Sequence, residues 1–208
     1  MTRQTIACAL GAAGLLLAQV ATAAAPPAPA RAVSGNAEPA DARFAAIHQA
    51  EWQWRIKEGL ARDEAERGQV EPGFARVDAA SQAARLAYWQ GVLRRLDAID
   101  SARLSAPARI DYQVYRAQIA AFVDELRFRE YEQPVNADSA FWTDVTYAAR
   151  QPFVKREDYV HYLGQLAAMP RYFAEQLENM RAGLARGFTP PRVTLAGRDA
   201  ALASVAEA

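Results

Sequence analysis

Eight residues spaced alternately four and three apart constrain this chain more than any other feature. Tyr159, Leu163, Leu166, Pro170, Phe173, Leu177, Met180 and Leu184 fall along one side of an α-helix, because residues three and four apart share a face. A strand would need alternation at steps of two, and no such run is long enough here to build a sheet. Pro170 interrupts the series. It has no N–H to donate and its ring clashes with the preceding turn, so the spacing predicts two helices, Glu157–Ala168 and Pro170–Arg186, packed as a hairpin rather than one coiled-coil seam. Gly187 ends the second helix and Pro190-Pro191 forbids its continuation.

Three earlier stretches carry the same periodicity. Asp41 is placed to cap a helix bearing Phe44, Ile47, Trp52, Trp54, Ile56 and Leu60. Trp52 and Trp54 are two apart and point to nearly opposite sides, which predicts a helix sandwiched between neighbours. A charged run from Arg62 to Arg67 closes at Gly68, and Glu71-Pro72-Gly73 signals a turn. Asp78 caps a second helix with Leu86, Trp89, Leu93 and Leu96 on one face. Ser105 caps a third, with Pro107 tolerated in its first turn and an apolar face of Tyr112, Tyr115, Ile119, Phe122 and Leu126 that fades near Glu132. Residues 133–156 are aromatic without a period, with room for one short helix from Ser139. Two readings stay open for them: a functional segment, or a set of rings plugging the end of a bundle. After Thr194 the pattern restarts at Asp199 in an alanine-rich stretch that no closing signal ends by Ala208. The expected class is all-α, an incomplete array of five or six helices over residues 41–208.

Two segments precede that array. Arg3, an apolar run from Ile6 to Val20 and the Ala21-Thr22-Ala23 site are the three parts of a secretory leader. The run falls short of the roughly 20 residues that span a bilayer. Residues 1–23 are therefore expected to be removed after Ala23, with Ala25 as the alternative site and a retained anchor as the competing reading. Cys8 follows Thr5-Ile6-Ala7, not a lipidation motif. Residues 24–40 hold Pro26, Pro27, Pro29 and Pro39 among alanines and read as a flexible tether. The address is periplasmic or secreted, with no membrane contact once the leader is gone.

Loss of the leader removes the only cysteine, so packing must supply the stability. Lys plus Arg and Asp plus Glu are each 24, and no basic block offers a nucleic-acid surface. A zinc site needs three or four convergent ligands, yet the histidines are only His48 and His161, and neither belongs to a His-Glu-x-x-His pair. His48 reads as a helix-surface or partly packed side chain and His161 as solvated. Ser81, Ser101, Ser105 and Ser139 lack a nucleophile elbow. The carboxylate pairs Asp124 with Glu125 and Glu175 with Glu178 lie among arginines and read as solvated helix faces. No catalytic residue and no metal ligand is assigned.

The order of short motifs is more specific than any one of them. Glu51-Trp52-Gln53-Trp54 comes first. Leu96-Asp97-Ala98-Ile99-Asp100 then precedes Leu104-Ser105 and Arg109-Ile110-Asp111-Tyr112, and Asn136 follows Pro134. Next come Glu157-Asp158-Tyr159, Leu163-x-x-Leu166-x-x-Met169-Pro170 and Met180-Arg181-x-Gly183-x-x-x-Gly187-x-Thr189-Pro190-Pro191. Across about residues 44–195 this resembles the N-terminal region of the bacterial family called domain of unknown function 885. Its full members are longer, commonly exported and largely helical, and resemble zinc metallopeptidases of the carboxypeptidase-like kind. The resemblance implies an exported helical scaffold forming one wall of a groove for a peptide-like substrate, with Trp142, Tyr147 and Arg181 as groove contacts. The family's His-Glu-x-x-Pro-Gly-His motif has no counterpart in these 208 residues. Zinc is thus expected only in full-length members, and this chain is expected to be inactive alone, with the missing C-terminal half as its partner. The alternative is a free-standing periplasmic helical binding module.

Overall fold

A computed structural model describes residues 38–62, 71–136, 139–143, 150, 152–198, 200 and 203. The leader, most of the tether, the charged run after Arg62 and Tyr147 lie outside them. The elements run α1 (Glu38–Lys57), α2 (Ala79–Asp97), α3 (Ala106–Phe128), α4 (Arg156–Ala185) and a single turn, α5 (Arg192–Leu195), with 3-10 turns at Ser101–Arg103 and Glu130–Glu132. Among the described residues there is no strand, only one isolated bridge between Val135 and Ala140. The chain is all-α.

Caps explain most of the boundaries. The Asp78 carboxylate accepts from the backbone N–H of Ser81 at 3.0 Å and starts α2. Ser105 Oγ accepts from Ala108 N–H, with Pro107 in the first turn of α3. α1 begins at Glu38, earlier than the expected cap at Asp41. The Asp41 carboxylate instead accepts from Ser105 N–H at 3.0 Å, tying the start of α1 to that of α3. α1 stops because Gly59 takes a left-handed φ of 67°. Leu60 N–H then donates to Arg55 O at 2.8 Å and Gly59 N–H to Ile56 O at 3.0 Å, the two hydrogen bonds of a Schellman ending.

α1, α2 and α3 enclose the larger core. Phe44, Trp89, Val92, Leu96, Ile99, Leu104, Tyr112, Tyr115, Ile119 and Val123 are buried there. The faces expected on α2 and α3 point into it. Trp54 stacks on Tyr88 at 3.8 Å and meets Trp89 edge-on. Trp52 is exposed, so α1 is packed on one side and not sandwiched as its two tryptophans suggested.

α4 departs furthest from expectation. It is one helix of 30 residues with Pro170 inside it, not two. Pro170 and Leu166 both lie on the exposed side, where a carbonyl deprived of its partner can be solvated, and that lowers the cost of the proline. Most of the stripe that should have been core faces outward: Leu163 is 63% and Leu184 68% exposed, Tyr159, Leu166 and Leu177 are exposed as well, and only Phe173 and Met180 pack inward. The buried side chains of α4 are Asp158, Gln165, Tyr172, Glu175, Gln176 and Asn179. A smaller aromatic cluster lies beside it, with Val135, Ala140, Phe141 and Tyr172 buried and Phe74, Val77, Trp142, Phe173 and Met180 packed against them. The rings of residues 133–156 that the structure describes therefore include packing groups.

Candidate functional site

Three charged clusters are buried where apolar contacts would ordinarily stand. In the larger core Glu51 is 1% exposed. Its carboxylate accepts from Arg55 Nε and Nη2 at 2.5 and 2.9 Å, from Trp89 Nε1 at 2.8 Å and from the Tyr115 hydroxyl at 2.9 Å. Burial, reinforced by the Glu51 charge, pushes the Tyr115 hydroxyl far above its ordinary value, so it remains a donor. The guanidinium of Arg55 also lies over the Phe122 ring at 4.7 Å. Every strong acceptor site of Glu51 is used, which makes a rigid join between three helices.

The second cluster holds α4 against residues 71–78, a strap that runs along it from Pro72 beside Gly164 to Val77 beside Asn179. Glu175 accepts from Val77 N–H at 2.8 Å and from Arg171 Nη1 at 2.9 Å. Arg76 Nε stands 2.6 Å from its other oxygen, near enough for an ion pair but not oriented as a hydrogen bond. Arg171 Nη2 donates to Phe74 O at 2.6 Å and Asn179 Nδ2 to Val77 O at 2.7 Å. From α2, Arg85 donates to Arg76 O. Burial lowers the Arg85 pKa, against Glu58, Asp78 and Glu175, which raise it. Glycine is required where backbone meets helix, since a Cβ on Gly164 would lie 2.6 Å from Pro72 O.

The third cluster lies at the far end of α4. Glu132, buried in the turn after α3, accepts from Arg186 Nε and is paired with Arg129 at 3.4 Å. Arg186 also donates to Phe128 O at 2.8 Å and covers the Phe188 ring. A Cβ on Gly183 would stand 2.6 Å from Glu132 O. Asp158 closes the opposite end of the helix. Its carboxylate accepts from Lys155 N–H and Val154 N–H at 2.8 Å each, and those bonds hold its pKa below the usual value.

Beside these clusters, Glu132–Val135 face Leu177, Met180 and Leu184 of α4 across an apolar cleft of about 310 Å³ closed by Phe188 and Leu195. Arg181 lies on its rim, exposed and paired with Glu178. Trp142 does not line this cleft. It packs edge-on against Phe141 at 5.1 Å in the smaller cluster, so the structure does not bring Trp142 and Arg181 into one pocket. A larger cleft of about 710 Å³ runs between the end of α1, the strap and His161. Its charges are mixed, with Arg62 paired to Glu71 at 3.1 Å.

His161 is half-buried at that cleft, 4.0 Å from Glu157, rather than fully solvated. His48 is an exposed side chain whose ring meets Tyr115 edge-on at 4.7 Å. No three His, Cys, Asp or Glu side chains among the described residues could hold a metal ion. The described residues do not fit a zinc centre. Glu175, expected on a solvated face, is buried. Its signal was the seven-residue repeat of Asp158, Gln165, Tyr172 and Asn179, a second stripe running beside the apolar one.

The fold and its clusters define an all-α bundle braced by buried carboxylate–arginine groups, without a nucleophile or metal constellation among the described residues. The chain belongs to the family described as bacterial protein of unknown function (DUF885), whose model matches residues 65–208. No curated protein and no solved structure matched it. The match omits α1, so the Glu51 join lies between a segment before the matched region and two helices within it.

Proposed function

We propose that this chain is an exported helical scaffold that works by presenting the outer face of α4 to a further helical part of the same family domain. The observation that carries the reading is the inversion of α4. Its polar stripe is fixed inward by Glu175, Asn179 and Arg171, and its leucines are left outside. An exposed apolar stripe of this length marks an interaction surface. Its 3.5-residue period suits another helix. On this reading residues 1–23 direct export and are cleaved after Ala23, residues 24–37 tether the bundle, and the destination is periplasmic or secreted. The assembled protein would act on a peptide-like substrate with zinc supplied by other residues, and this chain alone turns nothing over. The described helices are not long and apolar enough to cross a membrane.

Mass spectrometry of the protein from a periplasmic extract tests the address, with a mature N-terminus at Ala24 expected. Purified chain should hydrolyse no peptide with or without added zinc, and should bind an apolar dye. Stoichiometric tightly held zinc, or peptide turnover by this chain alone, would overturn the reading. The 310 Å³ apolar cleft beside Arg181 favours a second reading, a free-standing helical binding module. A bound apolar molecule recovered from the native protein would support it.

A further inference from the structure

We propose that α4 is a separately opening arm, which lifts from the strap at residues 71–78 and from the turn after α3 while the strap stays bonded to α2 and α1–α3 stay folded. This concerns the arm's own equilibrium and does not depend on what covers its outer face. Three observations carry it. First, the nearest backbone neighbours of α4 are the Glu130–Glu132 turn and the strap, not the lengths of α1, α2 or α3. Second, its inward contacts are chiefly polar: Glu175 to Val77 N–H and Arg171, Arg171 to Phe74 O, Asn179 to Val77 O, and Arg186 to Glu132. Water can replace each of these bonds once the arm lifts, so opening costs less than separating apolar faces. Third, the apolar material is unequally shared. Eleven buried residues join α1–α3, and only Val135, Ala140, Phe141 and Tyr172 are buried in the cluster beside α4. Segments with few buried apolar contacts open as units below the global stability.

The arm has a consequence for the apolar cleft. α4 supplies Leu177, Met180 and Leu184 to one wall, and Glu132–Pro134 supply the other. Lifting α4 widens the cleft and breaks the Arg186–Glu132 bridge at its mouth, so the bridge acts as a latch.

Hydrogen exchange of the full chain, followed by mass spectrometry across rising urea, tests the arm. Amides of α4 and the Val77 N–H, which Glu175 accepts, should lose protection together, at lower urea than those of α2 and α3. Glu175→Gln keeps the size and removes the charge shared by Arg76 and Arg171. It should speed exchange in the arm by about tenfold or more and leave α2 and α3 unchanged. Phe141→Leu, outside the ion cluster, should move the same set of amides, and it serves as the test if the first variant does not fold. A single transition shared by all helices, or a variant that shifts α2 and α3 as much as α4, would overturn the proposal.

Discussion

α1–α3 and α4 are both built from amphipathic helices, but they use their faces in opposite ways. In the bundle the apolar faces of α2 and α3 turn inward and one carboxylate, Glu51, is buried among them with all its partners supplied. In α4 the apolar face turns outward, and a row of carboxylates, amides and guanidinium groups holds the helix to two stretches of backbone. Periodicity is therefore a guide to helix and not to burial. Which stripe goes inside depends on what the neighbouring chain offers, and the strap offers carbonyls and N–H groups that only polar side chains satisfy.

The largest expected effect breaks the bundle side of this contrast. Glu51→Leu keeps comparable bulk but strands Arg55, the Trp89 N–H and the Tyr115 hydroxyl. A buried ion pair deprived of one partner costs about 3–5 kcal/mol. Urea melts should show that loss across the whole bundle, with Glu51→Gln falling between the variant and the parent. A loss below about 1 kcal/mol would mean that ring packing, not the carboxylate, joins the three helices.

Gly183→Ala probes the α4 side. Alanine is intrinsically the better helix former by about 1 kcal/mol, so a helix free of close neighbours would gain stability. Here the new Cβ meets Glu132 O at 2.6 Å and Phe188 O at 3.0 Å, both backbone atoms. The overpacking should outweigh the propensity gain and destabilise by about 1–3 kcal/mol. A rise in melting temperature would show that the turn after α3 does not hold the helix closely.

Acid separates the two regions more gently. Backbone hydrogen bonds hold Asp158 below its ordinary pKa of 3.8, and the Ser81 N–H does the same for Asp78. A carboxylate depressed in the folded state contributes stability that is fully present above its unfolded value. The contribution is lost as pH falls from about 3.8 through the lower folded value. The Asp78 cap should contribute about 1 kcal/mol. Urea midpoints should therefore fall below pH 4, and Asp158→Asn should flatten that fall for α4. An unchanged slope in the variant would remove Asp158 from the account.

Much of the bundle was legible because its signals are local. Asp78, Ser105 and the faces of α2 and α3 sit where capping and spacing put them. Asp41 was misread because its partner, Ser105 N–H, is 64 residues away, and no local rule sees such a bond. Pro170 was given too much weight, since the break it implies is averted when the freed carbonyl reaches water. Glu132 was invisible for the same reason as Asp41, because its partner Arg186 is 54 residues away, whereas Glu175 carried a signal only through the polar repeat beside it on α4. Of the expected groove contacts, Arg181 borders the 310 Å³ cleft, while Trp142 packs against Phe141 away from it. Aromatic content alone could not distinguish a ring that packs from one that waits for a ligand.

The smallest expected effect is the most discriminating for the outward stripe. Leu163→Gln with Leu184→Gln alters two side chains that contribute little to the fold as it stands, since both are mostly exposed. If α4 is held only by its polar face, stability should stay within about 0.5 kcal/mol of the parent, while dye binding and any self-association fall. If the leucines are covered in solution, by a second copy or by residues outside the described set, the double variant should lose several times that amount, because buried leucines contribute roughly 1.5–3 kcal/mol each. Urea melts at two protein concentrations distinguish these cases. A concentration-independent loss points to cover from within the chain, and a concentration-dependent one to a second copy.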